Sequence, residues 1–410
     1  MRRRVSAALA GSSVARRESF RSLRAFGSAA EPRIPKAVFS GTAPREVEVP
    51  TFRGQTVSSV VSPALTDTFG RRHSYLRISL TDRCNLRCSY CMPEEGEDIF
   101  TPAAGGELLT AEELKRLVQL FVHQGVRKVR LTGGEPTIRG DYARIIEDLG
   151  EISAGIPGGL SLGITTNGVR LKKFLPEMRA AGLRNINLSM DTLVSAKFPM
   201  IARKPAEWHA RILEGMREVA AQDEHFTLKV NCVVLRGFNE DEIGAFVDLV
   251  EHQPIEVRFL EFMPFDGNSW SAKKLVSQEE IIENFQKHLA ARGGLHAERL
   301  PPDSLNDVAR LWKVPGWKGR IGVISSMTNA FCGGCNRLRI TSSGEIRNCL
   351  FGEEGWSLRD ALRKESSDEA VIPTIAEAVG RKYAKLGGKK DMHELADRGD
   401  KALSMIQLGG

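Results

Sequence analysis

The sequence predicts an α/β protein built on a partial barrel of six strand–helix units, followed by a smaller cysteine-bearing region. Three observations carry this. Strand-like and helix-like segments alternate six times between residues 76 and 291, the pattern of a parallel sheet with right-handed crossovers. Six of the seven cysteines fall into two tight groups, one inside the first unit and one beyond the last. The strands alternate apolar with polar residues, where parallel strands buried on both faces read as unbroken apolar runs.

The strand segments are 76–81, 128–132, 160–165, 185–190, 227–235 and 255–262, and the helical ones are 111–124, 142–151, 171–181, 205–221, 240–251 and 277–291. The first helix opens on a capping box, Thr110-x-x-Glu113, with Leu109 and Leu114 spaced as a staple. Six units are two short of a closed eight-fold barrel, and the alternation alone also allows a doubly wound open sheet. In the first strand Leu76, Ile78 and Leu80 oppose Arg77, Ser79 and Thr81; in the second Val129 and Leu131 oppose Arg130 and Thr132. Ser161 and Thr165, then Asn185, Asn187 and Ser189, then Lys229 and Asn231 continue the polar face. The apolar face packs under helices, which leaves the polar face lining the inside of the curve. A polar, cationic lumen calls for a ligand. Arg77, Arg130 and Lys229 suit a polyanion such as a nucleoside triphosphate; the alternative is that they end their strands in solvated salt bridges.

Charge divides the chain sharply. It has 410 residues and a formal charge of +7, from 58 Lys+Arg against 51 Asp+Glu. Nine of the basic and two of the acidic residues lie within 1–36, so residues 37–410 hold 49 of each and are neutral. A neutral body argues against nucleic acid as a partner. No apolar run reaches the roughly 18–20 residues of a membrane span. Residues 1–40, rich in Arg, Ser and Ala, read as an organelle transit peptide, with a mitochondrial destination (the matrix) expected. A Pro- and Ser-rich linker is expected over 41–66, the barrel over 67–300, a second cysteine region over 301–366 and a tail over 367–410 that ends in Gly409-Gly410.

The first cysteine group is Cys84-x3-Cys88-x2-Cys91. Three thiolates this close, with no fourth nearby, can hold three corners of an iron–sulfur cube and leave one iron open. Structural zinc needs a filled set of four ligands, and His73 and His123 are badly spaced for that. The second group, Cys332-x2-Cys335-x13-Cys349, is less specific by spacing: a zinc ribbon and a second open cube both fit it. Cys232, alternating with Leu228, Val230 and Val234, reads as a small core residue. The loops after successive strands carry the first triad, then Gly133-Gly134-Glu135-Pro136, Thr166-Asn167-Gly168 and Asp191, which points to one shared site. Met263 follows the sixth strand.

RCNLRCSYC together with the GGEP after the second strand resembles the radical S-adenosylmethionine superfamily. Within it, the chain over residues 70–410 is similar to the GTP 3′,8-cyclase family of molybdenum-cofactor biosynthesis. The finer likeness rests on LRISLTDRCNLRCSYCMPEEG, VRLTGGEPTIR, IEVRFLEFMP, FCGGCNRLRITSSGEIRNCLF and the terminal Gly-Gly. The resemblance implies two [4Fe–4S] clusters, one on Cys84, Cys88 and Cys91 with S-adenosylmethionine at its open iron, and one on Cys332, Cys335 and Cys349 facing substrate. It implies that Tyr90, Gly134, Ser189 and Met263 surround S-adenosylmethionine, and that Arg77, Arg130, Thr165, Lys229, Arg337, Leu338 and Arg339 bind GTP. Arg337, Arg339, Gly409 and Gly410 are the positions it marks as catalytic. The implied reaction removes the ribose H3′ of GTP and joins C3′ to guanine C8, giving (8S)-3′,8-cyclo-7,8-dihydroguanosine 5′-triphosphate. Implied partners are a low-potential electron donor, a second copy in a homodimer, and cyclic pyranopterin monophosphate synthase acting next.

Overall fold

The computed structural model describes residues 46–50, 56–91, 107–304, 306–364, 367–398 and 404–408. The expectations for the presequence and for Gly409 and Gly410 fall outside them. The first described element departs from expectation. Where a linker was expected over 41–66, β1 (Glu46–Pro50) and β2 (Thr56–Val60) pair antiparallel, Val47 opposite Ser59 and Val49 opposite Val57. The β-branched residues of EVEVP and TVSSV explain it; they favour a pleated pair over coil.

The six expected units follow. β3 (Tyr75–Ser79), β4 (Lys128–Thr132), β5 (Ser161–Thr166), β6 (Asn185–Ser189), β7 (Thr227–Val234) and β8 (Glu256–Glu261) form consecutive parallel neighbours. Between them run α1 (Ala111–His123), α2 (Tyr142–Ala154), α3 (Leu171–Ala180), a short α4 (Phe198–Ala202) with α5 (Glu207–Ala220), and α6 (Ile243–His252), with α7 (Gln278–Ala291) after β8. The capping box of α1 is formed: Glu113 N donates to Thr110 Oγ1 at 3.1 Å, and Thr110 N to the Glu113 carboxylate at 2.9 Å. The expected apolar strand face is the core. Leu76, Ile78, Val129, Leu131, Leu162, Ile164, Ile186, Leu188, Leu228, Val230, Val257 and Phe259 are all buried in one cluster with the inner stripes of the helices.

The sheet does not stop at six strands. After β9 (Glu298–Arg299) and β10 (Arg310–Lys313), β11 (Arg320–Ile324) lies parallel to β8. β12 (Arg337–Ile340) then lies parallel to β3 at the opposite edge. Eight parallel strands result, in the order β12-β3-β4-β5-β6-β7-β8-β11. Antiparallel strands border them: β10 and β9 beside β11, and β13 (Glu345–Arg347) with β14 (Trp356–Ser357) beside β12. The regions 67–300 and 301–366, expected as separate, therefore share one sheet. Parallel strands need long crossovers, so local sequence does not reveal which distant segment fills an edge. Four helices close the described chain: α8 (Leu358–Lys364), α9 (Ile372–Gly380), α10 (Met392–Ala396) and α11 (Met405–Leu408).

Side chains show the curvature. Lys229 on β7 and Arg130 on β4 act on each other electrostatically, although three strand steps in a flat sheet would part them by about 14 Å. Lys128 on β4 likewise senses Arg258 on β8 and Arg337 on β12. Arg337 also donates to the Asn306 carbonyl, 3.1 Å away in the segment before β10. The two ends of the parallel series thus approach across a lumen.

Candidate active site

The first triad lies in the loop after β3, at the C-terminal end of the parallel strands. That loop is held from both sides. Gly134 N donates to the Thr81 carbonyl at 2.7 Å and Glu135 N to the Arg83 carbonyl at 2.9 Å. On the other side Arg87 N and Ser89 N donate to the carbonyls of Ala202 and Ile201 in α4. The GGEP glycines answer a steric demand. A Cβ on Gly134 would sit 2.2 Å from the Arg83 carbonyl oxygen, and one on Gly133 2.4 Å from that of Thr81. Glycine here permits two backbones to touch.

Buried carboxylates surround these thiols. Glu135 accepts from Thr137 Oγ1 (2.6 Å), Thr166 Oγ1 (2.8 Å) and Asn167 N (2.7 Å), which ties the GGEP and TTNG loops together. Asn167 Nδ2 reaches Asn85 Oδ1 at 2.7 Å and Cys84 Sγ at 3.6 Å. Asp191 accepts from Tyr90 Oη and from Val233 N, both at 2.9 Å. Burial, reinforced by Glu135, pushes the Cys84 thiol up to about 11. Burial and then Asp191 push Cys88 well above the ordinary thiol range, and Cys91 rises through burial and then Cys84. Asp191 is itself raised to about 6 by burial, against its two hydrogen bonds.

The lumen side chains are aligned by register. Arg339 on β12 faces Arg77 on β3, which faces Arg130 on β4, which faces Gly163 on β5. Three arginines side by side repel, and like charges directly opposite destabilise a sheet. Arg130 is fixed by its Nε donating to Tyr75 Oη at 2.7 Å and its Nη1 to the Ile164 carbonyl at 2.9 Å. Gly163 leaves space for that guanidinium: a Cβ there would lie 3.2 Å from Arg130 Nη2. A second row runs Thr165, Asn187, Lys229, Glu256 across β5 to β8. Burial and then Arg258 depress Lys229 to about 7. Thr165 Oγ1, Asn187 Oδ1, Asn231 Oδ1 and Arg339 Nε are buried polar atoms with no hydrogen-bond partner among the described residues. Such atoms are costly unless a polar ligand meets them. Leu338 behaves differently from its neighbours. Its side chain is buried in the core, so only its main chain is available to a ligand.

The second triad sits at the other end of the lumen. Cys332 and Cys335 precede β12 and Cys349 follows β13. Because β12 runs parallel to β3, Cys335 lies below the Tyr75 level while Cys84 lies above the Ser79 level. Strand rise puts about 13 Å between those two levels, a span that suits one nucleotide. Cations crowd this end. Lys382 Nζ is 3.5 Å from Cys335 Sγ, and Arg337 Nη1 3.9 Å from it. Burial would raise the Cys335 thiol, but Lys382 and then Arg337 outweigh it and bring it down to about 6.

Of the residues expected around S-adenosylmethionine, Tyr90, Gly134 and Ser189 lie at the C-terminal end with the first triad. Met263 is buried just beyond β8, its carbonyl accepting from Asn268 Nδ2 at 2.8 Å. Sequence reasoning passed over Lys128, Arg258, Tyr75 and Lys382, and placed Glu135 in a site loop without giving it a role. Lys128 and Arg258 share the lumen parity of Arg130 and Glu256, a signal that was there to read; Lys382 carried none. Among the described residues, no three His, Cys, Asp or Glu side chains converge where a single metal ion could sit.

A partial barrel with a cysteine triad at the C-terminal end of its first parallel strand is the radical SAM fold, and residues 78–250 match the Radical SAM superfamily. That superfamily works with a [4Fe–4S] cluster and S-adenosylmethionine. Residues 255–387 match the Molybdenum Cofactor Synthesis C family. The chain is 44% identical over 356 residues to "GTP 3′,8-cyclase, mitochondrial" of Arabidopsis thaliana, covering 87% of this chain and 86% of that one. It is 39% identical over 349 residues to the GTP 3′,8-cyclase of Rhodopirellula baltica, covering 85% and 92%. The chain belongs to the GTP 3′,8-cyclase family. To "Molybdenum cofactor biosynthesis protein 1" of Bos taurus it is 48% identical over 337 residues, 82% of this chain but 51% of that protein. The chain thus spans about half the length of its animal relatives.

Proposed function

We propose that this protein is a radical GTP 3′,8-cyclase, acting first in molybdenum-cofactor biosynthesis and converting GTP to (8S)-3′,8-cyclo-7,8-dihydroguanosine 5′-triphosphate. The observation that carries the reading is the arginine row Arg339–Arg77–Arg130, set in one lumen between the two triads. Cys84, Cys88 and Cys91 would hold one [4Fe–4S] cluster, and Cys332, Cys335 and Cys349 a second. When bound, the first cluster with S-adenosylmethionine would supply radical chemistry, and the second would supply a binding point for the guanine base.

The chain's own residues do the rest. Arg77, Arg130, Lys229, Arg337 and Arg339 neutralise a triphosphate, which in turn relieves their mutual repulsion. Thr165 Oγ1 and the Leu338 main chain add polar contacts. Tyr90, Gly134, Ser189 and Met263 shape the cofactor end, with Tyr90 steadied by Asp191. Two fixed ends hold the ribose close to the cofactor, so positioning contributes much of the rate. Gly409 and Gly410 complete the reading as the catalytic positions the family resemblance adds, having no side chains to obstruct a crowded pocket. The working enzyme is a homodimer in the mitochondrial matrix, its leader being residues 1–40; the basic, acid-poor composition and the mitochondrial relative support that address. It takes electrons from a low-potential donor and hands its product to cyclic pyranopterin monophosphate synthase.

The test is reconstitution under argon, then incubation with GTP, S-adenosylmethionine and dithionite. About eight irons per chain and a GTP-dependent rise in 5′-deoxyadenosine are expected. Release of 5′-deoxyadenosine that ignores GTP but answers another nucleotide or a peptide would replace this reading.

A further inference from the structure

Lys382 lies just beyond α9, far in sequence from both triads, and its side chain is buried. Its ammonium has three partners: the Asn348 carbonyl at 2.6 Å, the Arg337 carbonyl at 2.9 Å and Cys335 Sγ at 3.5 Å. None is a carboxylate. The groups that favour its charge are the thiolates of Cys335 and Cys349, while Arg339 and Arg71 oppose it. A buried ammonium without a carboxylate is costly. It makes sense beside an assembly with net negative charge, such as thiolates on iron and sulfide.

The neighbouring chain is arranged to the same end. Leu386, Gly387 and Gly388 all have positive φ, at 47°, 63° and 93°. Leu386 is not glycine, so this left-handed turn is strained there. A Cβ on Gly387 would lie 2.5 Å from the Phe351 carbonyl oxygen. Phe351 N in turn donates to Cys349 Sγ at 3.5 Å. Arg71, paired with Asp67 at 2.6 Å, fastens the segment by donating to the carbonyls of Tyr383 (2.7 Å), Ala384 (2.9 Å) and Cys332 (3.0 Å). Cys335 and Cys349 of the second triad therefore each have an N–H donor, and the one at Cys335 is a full positive charge.

We propose that Lys382 is a positioning residue for the second cluster, whose ammonium is the counter-charge that holds Cys335 in place and raises the reduction potential of that cluster alone. This rests on the reading that the second triad holds a cluster. N–H···S bonds and a nearby cation stabilise the reduced, more negative form, and both act through outer partners of the ligands. The first triad has the opposite surroundings, two buried carboxylates, so the potentials of the two centres should be split.

The test uses the full chain, reconstituted, in a background where Cys84, Cys88 and Cys91 are serine so that only the second cluster forms. Iron content is read first. No iron in that background would remove the second cluster itself, a failure separate from this proposal. With the cluster present, Lys382→Met is expected to shift its midpoint potential to more negative values, and Lys382→Arg to restore most of the shift. In the chain with all six triad cysteines, the potential of the first cluster should not move. An unmoved second potential in Lys382→Met, or equal shifts at both centres, would overturn the proposal. Should Lys382→Met fail to fold, the unmutated chain decides. With lysine labelled by 15N at Nζ, the reduced second cluster should show a nitrogen hyperfine coupling by ENDOR, and its absence would overturn the proposal as well.

Discussion

The two cysteine triads have the same donors and opposite surroundings. Around Cys84, Cys88 and Cys91 the buried charges are the carboxylates Glu135 and Asp191, and the thiols are driven up. Around Cys335 they are Lys382, Arg337 and Arg339, and the thiol is drawn down to about 6. Donor type makes both ends competent for iron; the surrounding charge decides what else may approach. An end lined by carboxylates favours a cationic ligand such as a sulfonium, and an end lined by guanidiniums favours an anion. On the proposed function, one lumen would thereby receive two different small molecules in one orientation.

Reversing charge at one end should break this division most severely. Arg339→Glu places a carboxylate beside Arg77 in register and removes a buried cation, a change of about 3–5 kcal/mol. GTP affinity by equilibrium dialysis should fall at least about a hundredfold, with iron content and S-adenosylmethionine affinity within about twofold of the parent. Comparable losses of both ligands would dissolve the distinction between the ends. The reciprocal change is smaller. Asp191→Asn keeps the shape but removes the charge and upsets the Val233 hydrogen bond, a loss of about 1.5–3 kcal/mol. S-adenosylmethionine binding should weaken roughly tenfold or more, with GTP binding intact.

The smallest effect sharpens the comparison through pH. Lys229, depressed to about 7 by burial and then by Arg258, is neutral in the folded chain above that value, while an unfolded lysine titrates near 10.4. Between about 7 and 10.4 the unfolded chain binds the extra proton, so this group makes stability rise with pH there; below 7 its penalty is fully present. A bound triphosphate reverses the preference, so GTP binding above pH 7 should take up a proton. Calorimetry in buffers of different ionisation enthalpy should show that uptake, and Lys229→Met should abolish it.

Much of this was legible in the sequence because two periodicities carry it. Alternation of period two marked Arg77, Arg130 and Lys229 as facing away from Leu76, Val129 and Leu228, and the folded chain places the apolar partners in the core. The same rule reached Lys128 and Arg258, had it been pressed to the first residue of one strand and the middle of another. Thr110 and Glu113 announced a helix start by local chemistry, and the capping box formed. Long-range pairing was not legible. RIGVI and RLRI are short, and no local feature states that one sits beside β8 and the other beside β3. Lys382 was invisible for a related reason, since its neighbours Arg337, Asn348 and Cys335 are brought to it only by tertiary structure. Leu338 shows the reverse case, a motif position whose side chain belongs to the core.

The pairing of β3 with β12 also has a consequence for synthesis. The ribosome delivers β3 early, yet its outer edge gains a parallel partner only once residues 337–340 have emerged. Until then a nascent chain carries an unpaired edge and a row of arginines lacking its last member, and such edges invite pairing with other chains. A chain stopped short of β12 would leave that edge open permanently. Premature termination there should produce aggregates rather than a smaller enzyme with one centre, and the second triad is complete only once Cys349 has been made.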